Sequence, residues 1–390
     1  MTIKIRPEIE QLEDEIIATR RDIHSHPELG FQEIRTAALI AERLVEYGIE
    51  VQTEVGKTGV VGTLRGAASG PMIALRADMD ALPVQETSSV DYKSRVDGVM
   101  HACGHDGHVA TLLAAAKVLA AQRKQIKGSV RFLFQPAEEG AGGARYMIED
   151  GCLDGVTEIH GLHYWNYQSY GVIGIQAGPV LAAAGRFKIH VKGIGGHGAT
   201  PQGTVDAVMV GSQLVTALQT IVSRNTDPLE STVVSVGTFN AGSNFNVIAP
   251  EAQLLGTARS YTEENRQMIK RRMAEIVNGI GQTYGANIVL DYEDGYPPTI
   301  NDEDATLKAR QAALEIVGDE GVIKPFLTMG GEDFSYYSRR IPGSFVFVGS
   351  LPADAEPQSI PHHCSHFDID ERALLIGASF YIQLIENELM

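Results

Sequence analysis

The chain is short of several things that would assign it to a special class. Only three of its 390 residues are cysteine, Cys103, Cys152 and Cys364. They are too few and too scattered for a disulfide framework and suit a reducing compartment. Basic residues are also scarce: 32 Lys and Arg stand against 49 Asp and Glu, a formal charge of −17. A field of that sign repels nucleic acid and anionic lipid, so neither is an expected partner. Long apolar runs are missing. The longest, residues 109–121, is broken by Lys117 and falls short of the roughly 20 residues a bilayer demands. The opening residues carry no apolar core of a secretion signal, and no internal repeat or low-complexity segment is visible. What remains is 44% apolar and 21% charged, an ordinary globular balance that excludes disorder, collagen-like repeats and coiled coil. The length fits two or three domains, and the expected setting is the cytoplasm.

Residues 8–50 read as two helices joined around His24-Ser-His-Pro-Glu-Leu-Gly30, because Leu12, Ile16 and Ile23, then Ala37, Ile40, Leu44 and Val45 recur at helical spacing. Short β-rich runs follow at 59–64, 72–75, 129–134 and 158–162. A helix is expected over 107–122, with Asp106 as its N-cap. Strands alternating with helices imply a largely parallel sheet covered on both faces. From Arg186 the pattern changes. Phe187, Ile189 and Val191 alternate with polar residues, then come a helix over 205–223, strands over 231–240 and 251–261, a helix over 263–284 and a strand over 287–292. This β-α-β-β-α-β order is ferredoxin-like, and Gly295-Tyr-Pro-Pro298 punctuates its end. A helix near 304–317, a strand at 344–348 and a helix near 371–388 restore the α/β character. The expected architecture is therefore an α/β catalytic domain in two parts, residues 1–185 and 299–390, with a ferredoxin-like α+β domain inserted over 186–298.

Three of the expected parallel strands run into groups that bind metals. One ends in Asp78-Met-Asp80, one in Gln135-Pro-Ala-Glu138-Glu139, and one in His163. In an open α/β sheet the ligand crevice lies beyond the carboxyl ends of the strands, so these groups should converge. His101-Ala-Cys103-Gly-His105-Asp106-Gly-His108 and His362-His363-Cys364-Ser-His366 join them, and seven of the twelve histidines fall in these places. Imidazole beside a thiolate favours zinc or a similar borderline metal. The adjacent pair Glu138-Glu139 says most. Two buried neighbouring carboxylates are costly without a cation; with one, either can coordinate while the other accepts a proton from metal-bound water. Single histidines say less. His24, His26, His160 and His190 read as locally satisfied, and Cys152 as core. His101, His108, His362 and His366 read as supporting or surface groups, Asp80 as the start of a turn, and the hairpin holding His197 as either flexible or functional. Besides metal-assisted hydrolysis, a non-catalytic metal scaffold and a cysteine hydrolase using Cys103 with His105 stay open.

Taken together, these residues resemble the M20 metallopeptidase superfamily, in the amidohydrolase branch that includes hippurate hydrolase, N-acyl-amino-acid amidohydrolase and auxin-conjugate hydrolase. The likeness runs through His24-Ser-His-Pro-Glu-Leu-Gly-Phe-Gln-Glu33, Arg76-Ala-Asp-Met-Asp-Ala-Leu-Pro83, Met100-His-Ala-Cys-Gly-His-Asp-Gly-His108, Phe134-Gln-Pro-Ala-Glu-Glu-Gly140, Gly161-Leu-His163, Gly195-Gly-His-Gly-Ala199 and Met329-Gly-Gly-Glu-Asp-Phe334. The resemblance implies two divalent metal ions per subunit, zinc or manganese with cobalt or nickel as alternatives. It implies Cys103, His105, Glu139, His163 and His363 as ligands, Glu138 as general base, and Asp78 as a group orienting a ligand. His197 would reach the site of a partner subunit, making the protein a homodimer or a dimer-based oligomer. Asn246, Arg259, Gly330 and Gly331 would hold the substrate and its free carboxylate. Two features depart from the superfamily pattern. Arg76 stands where a metal-binding histidine is common, and the closing motif reads His363-Cys364-Ser365 rather than His-Ser-Pro. Phe367 and Glu371 set the register that selects His363, with His362 and Cys364 as competitors.

The reaction so implied is cleavage of the amide bond of an N-acyl or N-aroyl amino acid by metal-activated water, with a di-metal dipeptidase or aminopeptidase as the alternative. A formal count agrees with an anionic small-molecule substrate: two dications less one thiolate, one carboxylate and one hydroxide leave about +1 before Arg259 is added.

Overall fold

The computed structural model describes residues 3–390. The chain divides into two compact units: one formed by the chain up to Val180 with Ile300–Leu327 and Asp333–Met390, the other by Leu181–Thr299 with Thr328–Glu332.

The first unit is built on an eight-stranded, mostly parallel sheet. Four parallel strands lie side by side at its centre, in the order Lys127–Gln135, Ala68–Asp78, Glu158–Ser169 and Gly343–Leu351. The pair Glu50–Val55 and Gly59–Arg65 extends one edge antiparallel. The central strands read as unbroken apolar runs rather than alternating ones; every residue of Gly343–Leu351 is buried. That is the signature of strands covered on both faces. Helices His105–Ala121 and Arg372–Leu389 are accordingly buried almost all round and share one core with the sheet. The helix expected over 107–122 begins two residues earlier. Gly104 sits just ahead of it with φ +92°, a left-handed turn that favours glycine. Asp106 does not cap this helix: its carboxylate accepts from buried Arg20 at 2.8 Å and pairs with His24 Nδ1 at 2.8 Å.

Register decides where the chemistry sits. Asp78 lies opposite Gln135, and Arg76 opposite Gly161, which carries Asp78 level with His163. The strand expected to stop at residue 162 instead continues to Ser169, because Gly343–Leu351 keeps pairing with it beyond the end of its other neighbour. His163 therefore projects from a stretch paired on one side only, with Phe347 as its partner and its other edge open beyond Gly161.

The second unit carries a four-stranded antiparallel sheet in the order Thr232–Ala241, Glu251–Ser260, Ala183–Lys192 and Asn287–Asp294. With helices Ala207–Thr220 and Glu263–Tyr284 this is the ferredoxin-like arrangement. Phe187, Ile189 and Val191 are buried against both helices' apolar faces while the residues between them face outward. Caps fix both helices: Asp206 accepts from the N–H groups of Val208 and Met209, Thr262 from that of Asn265, and Gly285 closes the second helix at φ +68°. Thr328–Glu332 joins this unit through Ala182 N–H to Gly330 O (2.8 Å) and Tyr261 OH to Thr328 O (2.7 Å). Among the described residues no helix is long and apolar enough to cross a membrane.

Candidate metal centre

The floor of the candidate site is a buried charge network. Arg76 is fully buried and donates to Gln135 Oε1 (2.9 Å), Asp78 Oδ2 (2.6 Å) and Asp333 Oδ1 (2.9 Å). Burial alone would raise the Asp78 carboxyl, but Arg76, then His105 and His108, hold it well below the usual carboxylate range. His108 Nε2 accepts the Tyr164 N–H at 3.0 Å, so its proton sits on Nδ1 and is donated to Asp78 Oδ1. Both nitrogens of His108 and both oxygens of Asp78 are thus engaged by protein. These two residues orient their neighbours rather than reach outward.

Above this floor three groups present bare donor atoms. His105 donates Nδ1–H to the Asp80 carbonyl at 2.9 Å. Its Nε2 is buried without a hydrogen-bond partner, 3.9 Å from Glu139 Oε1. His163 donates Nδ1–H to the Tyr164 carbonyl at 2.7 Å and turns Nε2 to Cys103 Sγ at 3.5 Å. An imidazole whose Nδ1 is pinned to a carbonyl, with Nε2 left bare as in His105 or turned to another donor atom as in His163, is the arrangement of a metal ligand. His363 Nε2 stands 3.1 Å from Glu139 Oε1. Its backbone is left-handed at φ +68° and its N–H is tied to the Ala102 carbonyl at 2.7 Å; strain of this kind gathers at functional positions. The donor atoms form overlapping groups within 4.8 Å of one another: Cys103 with His105 and His163, Cys103 with Glu139 and His363, and His105 with Glu138 and Glu139. The first two share only Cys103.

Electrostatics agrees that a cation belongs here. Burial, then Glu139, Glu138 and Asp78, pushes the Cys103 thiol well up. Burial would lower His105, but Asp78, Asp80 and Glu139 raise it to about 10. Burial, then His108 and His362, holds His163 well below the usual imidazole value. A divalent cation would settle all three, since it takes thiolate, carboxylate and neutral imidazole together.

Glu138 is 6% exposed and accepts the Asp333 N–H at Oε1 (3.3 Å). Asp80 is not the beginning of a simple turn. Its two carboxylate oxygens accept the backbone N–H groups of Glu138 and Glu139, each at 2.9 Å, and so set where both side chains leave the chain. Just before them, Ala137 is left-handed at φ +52° with its N–H held by buried Glu33 (2.8 Å). Asp80 and Glu33 lie inside two of the motifs, but the backbone N–H groups that they hold are tertiary partners that no local pattern reveals.

The remaining candidates lie in the second unit and fall into two places. His197 is exposed and pairs antiparallel with Val247, while Gly198 N–H bonds Asn246 O at 2.8 Å. Arg259 lies opposite Ala184 in the sheet, and a side chain at Gly331 would come within 3.6 Å of Ala184 Cβ. Arg259 donates to the Ala258 carbonyl (3.1 Å) and the Thr257 hydroxyl, and burial lowers its pKa. Ala184 and Lys192 stand at opposite ends of one strand, eight residues apart, or about 26 Å. The structure therefore gathers Arg259 with Gly330 and Gly331, and His197 with Asn246, but separates the two groups within the unit.

Other histidines find local partners. His24 sits between Asp106 and Glu86, and His160 bridges Ser344 Oγ (2.7 Å) and Glu158 (2.8 Å) inside the core. His26 bonds Asp22 O and His190 meets Glu251, both near the surface. His362 accepts the Asn166 N–H at 3.3 Å and turns Nδ1 to Cys103 at 3.6 Å. His366 is exposed, and His101 is buried with neither ring nitrogen bonded.

Comparison with known proteins places this geometry. The N-acetyl-L-cysteine deacetylase of Bacillus subtilis is 42% identical over 95% of this chain and 87% of its own length. The IAA-amino acid hydrolase ILR1-like 4 of Arabidopsis thaliana is 38% identical over 97% and 86%. A solved structure from Bacillus subtilis, described as a dinuclear metal-binding peptidase of the M20 family, superposes with a TM-score of 0.85 at 36% identity, covering 97% of this chain and 98% of that one. The profile of peptidase family M20/M25/M40 matches residues 74–387. The chain is a member of peptidase family M20/M25/M40, among its amidohydrolase and metallopeptidase relatives.

Proposed function

We propose that the protein hydrolyses the amide bond of N-acyl amino acids, releasing a carboxylic acid and a free amino acid, with two divalent cations held by Cys103, His105, Glu139, His163 and His363. The observation that carries this reading is the convergence of His105 Nε2, buried without a hydrogen bond, with Glu139 Oε1, His363 Nε2 and Cys103 Sγ. Removal of an acyl group from an amino acid is also what the two named relatives have in common. When bound, the cations supply Lewis acidity and lower the pKa of water. Zinc, manganese, cobalt and nickel all tolerate this mixed donor set.

The chain's own residues do the rest. Glu138 takes a proton from the attacking water as its oxygen bonds the acyl carbon, and returns that proton to the amide nitrogen as the C–N bond breaks. The Asp80 carbonyl holds His105 through its Nδ1–H, the Asp80 carboxylate holds Glu138 and Glu139, and Asp78 lies 3.6 Å from His105 Nε2. Arg259, Gly330 and Gly331 bind the free carboxylate. His197, with Asn246 beside it, polarises the scissile carbonyl of a second copy, in keeping with its distance from Arg259 along the sheet. A cysteine nucleophile fits poorly: such a thiol needs a lowered pKa, whereas burial and three carboxylates push Cys103 up. Three unpaired cysteines suit the cytoplasm as the place of action.

The test is metal-reconstituted protein with hippurate and other N-acyl amino acids. Glu138→Gln should keep both ions and lose about 10²–10⁴-fold in kcat; near-wild-type turnover would refute the base. A second reading, cleavage of dipeptides with a free amine, is favoured by the peptidase description of the solved relative. Faster turnover of an unblocked dipeptide than of hippurate would select it.

A further inference from the structure

The strand that carries His163 goes on to carry two large rings. Trp165 packs on His163 with centroids 5.3 Å apart, and Tyr167 on Trp165 at 5.0 Å. Phe326 then stacks on Tyr167 at 5.3 Å, the planes only 15° apart. His362 touches Trp165 (4.8 Å), Tyr167 (5.5 Å) and His163 (5.2 Å), and its Nδ1 is 3.6 Å from Cys103 Sγ. The rings thus form a continuous row leading away from the donor atoms, a ledge backed by buried Trp165, with Tyr167 half-buried and Phe326 exposed at its end. Electrostatics shows the same proximity: burial, then Cys103 and Cys364, pushes the Tyr167 hydroxyl up.

Phe326 is the informative member. It remains 43% exposed, yet its backbone is held at both ends. Its N–H donates to Gln168 Oε1 at 3.0 Å, and its carbonyl accepts from Trp165 Nε1 at 2.9 Å. Exposed apolar residues are common on protein surfaces, but this ring is held in place and stacked on Tyr167, at the end of a row of rings that begins at His163. Ring faces carry no fixed charge, so the ledge suits the apolar half of an N-acyl amino acid rather than its carboxylate.

We propose that Trp165, Tyr167 and Phe326 form the acyl subsite, and that the enzyme prefers flat aromatic acyl groups to acetyl. Offset or edge-to-face stacking on these rings rewards such a group beyond the area it buries. The assignment rests on the amide-hydrolysis reading above and adds the class of acyl group to it.

Two measurements test it. The first compares kcat/KM for N-benzoylglycine and N-acetylglycine, which share one leaving group. Metal-loaded protein should favour the benzoyl compound at least tenfold, and Phe326→Ala and Tyr167→Leu should each reduce that ratio several-fold. A wild-type preference for acetyl, or a ratio unmoved by both variants, would overturn the subsite. The second uses Trp165, the single tryptophan of the chain, as a probe without turnover. Benzoate should change its emission saturably at concentrations where acetate does not, and Phe326→Ala should weaken that response; no response to benzoate counts against the ledge. Cleavage of neither glycine derivative would bring down the hydrolase reading and the acyl subsite with it, whereas equal cleavage of both would bring down the subsite alone.

Discussion

At the residue scale, the candidate site depends on side chains that touch neither ions nor substrate. Asp80 spends both oxygens on the N–H groups of Glu138 and Glu139 and its own carbonyl on His105. Asp80→Asn would turn an amide N–H₂ toward one of those donors. We expect a folded protein whose metal content and kcat/KM both fall, by about 10–100-fold, as measured by elemental analysis and kinetics; wild-type values for both would show the grip to be dispensable. The proposed ligands were legible from their types and motifs, because thiolate, imidazole and paired carboxylates at strand ends already suggest a cation. Asp80, Glu33 and the Arg20–Asp106 pair were not legible, since each acts on a residue from a distant part of the chain. Asp106 looked like a helix cap for the same reason: local position suggested one partner, and a buried arginine from another helix took it.

At the scale of elements, sequence reading was most accurate where both ends of an element carry their own signals. The helix Glu263–Tyr284 matches its expected span, bounded by the Thr262 cap and the left-handed Gly285. The strand through His163 was read too short, because its far half is stabilised by a partner nearly two hundred residues later, which no local pattern reveals. The turn after Glu138-Glu139 has a tighter requirement. A Cβ at Gly143 would lie 1.7 Å from the Pro136 carbonyl oxygen, so the backbone must shift to admit one. Gly143→Ala should lower stability by about 1–3 kcal/mol and reduce turnover, since the same turn aims Glu138. An unchanged melting temperature would show that the turn relaxes freely.

At the scale of the whole molecule, pH and assembly give two further tests. Glu158 pairs with His160 and Lys308. Burial would raise its pKa, but those partners lower it below the ordinary value of 4.5. A carboxyl depressed in the folded state adds stability above its unfolded pKa and loses it as pH falls through the folded one. Wild type should therefore be more stable than Glu158→Gln at pH 7, and the gap should close below about pH 4.5. A gap that widens in acid would reverse the assignment. If His197 serves a second copy, then His197→Ala and Glu138→Gln, each inactive alone, should recover about one quarter of wild-type activity when co-refolded in equal amounts, because half of the random dimers then hold one intact site. No recovery would place His197 in its own subunit's chemistry, and an active His197→Ala alone would place it outside the chemistry.

The proposed ligands are spread over 260 positions of chain, from Cys103 to His363. A polypeptide emerging from the ribosome therefore displays four of them while the fifth is still untranslated. The strand Gly343–Leu351, which flanks His163 in the sheet, is also made late, after all four strands of the ferredoxin-like sheet. Metal uptake is on this account a closing event of biogenesis: a nascent chain released before residue 363 should hold its ions weakly, however well its amino-terminal half has folded.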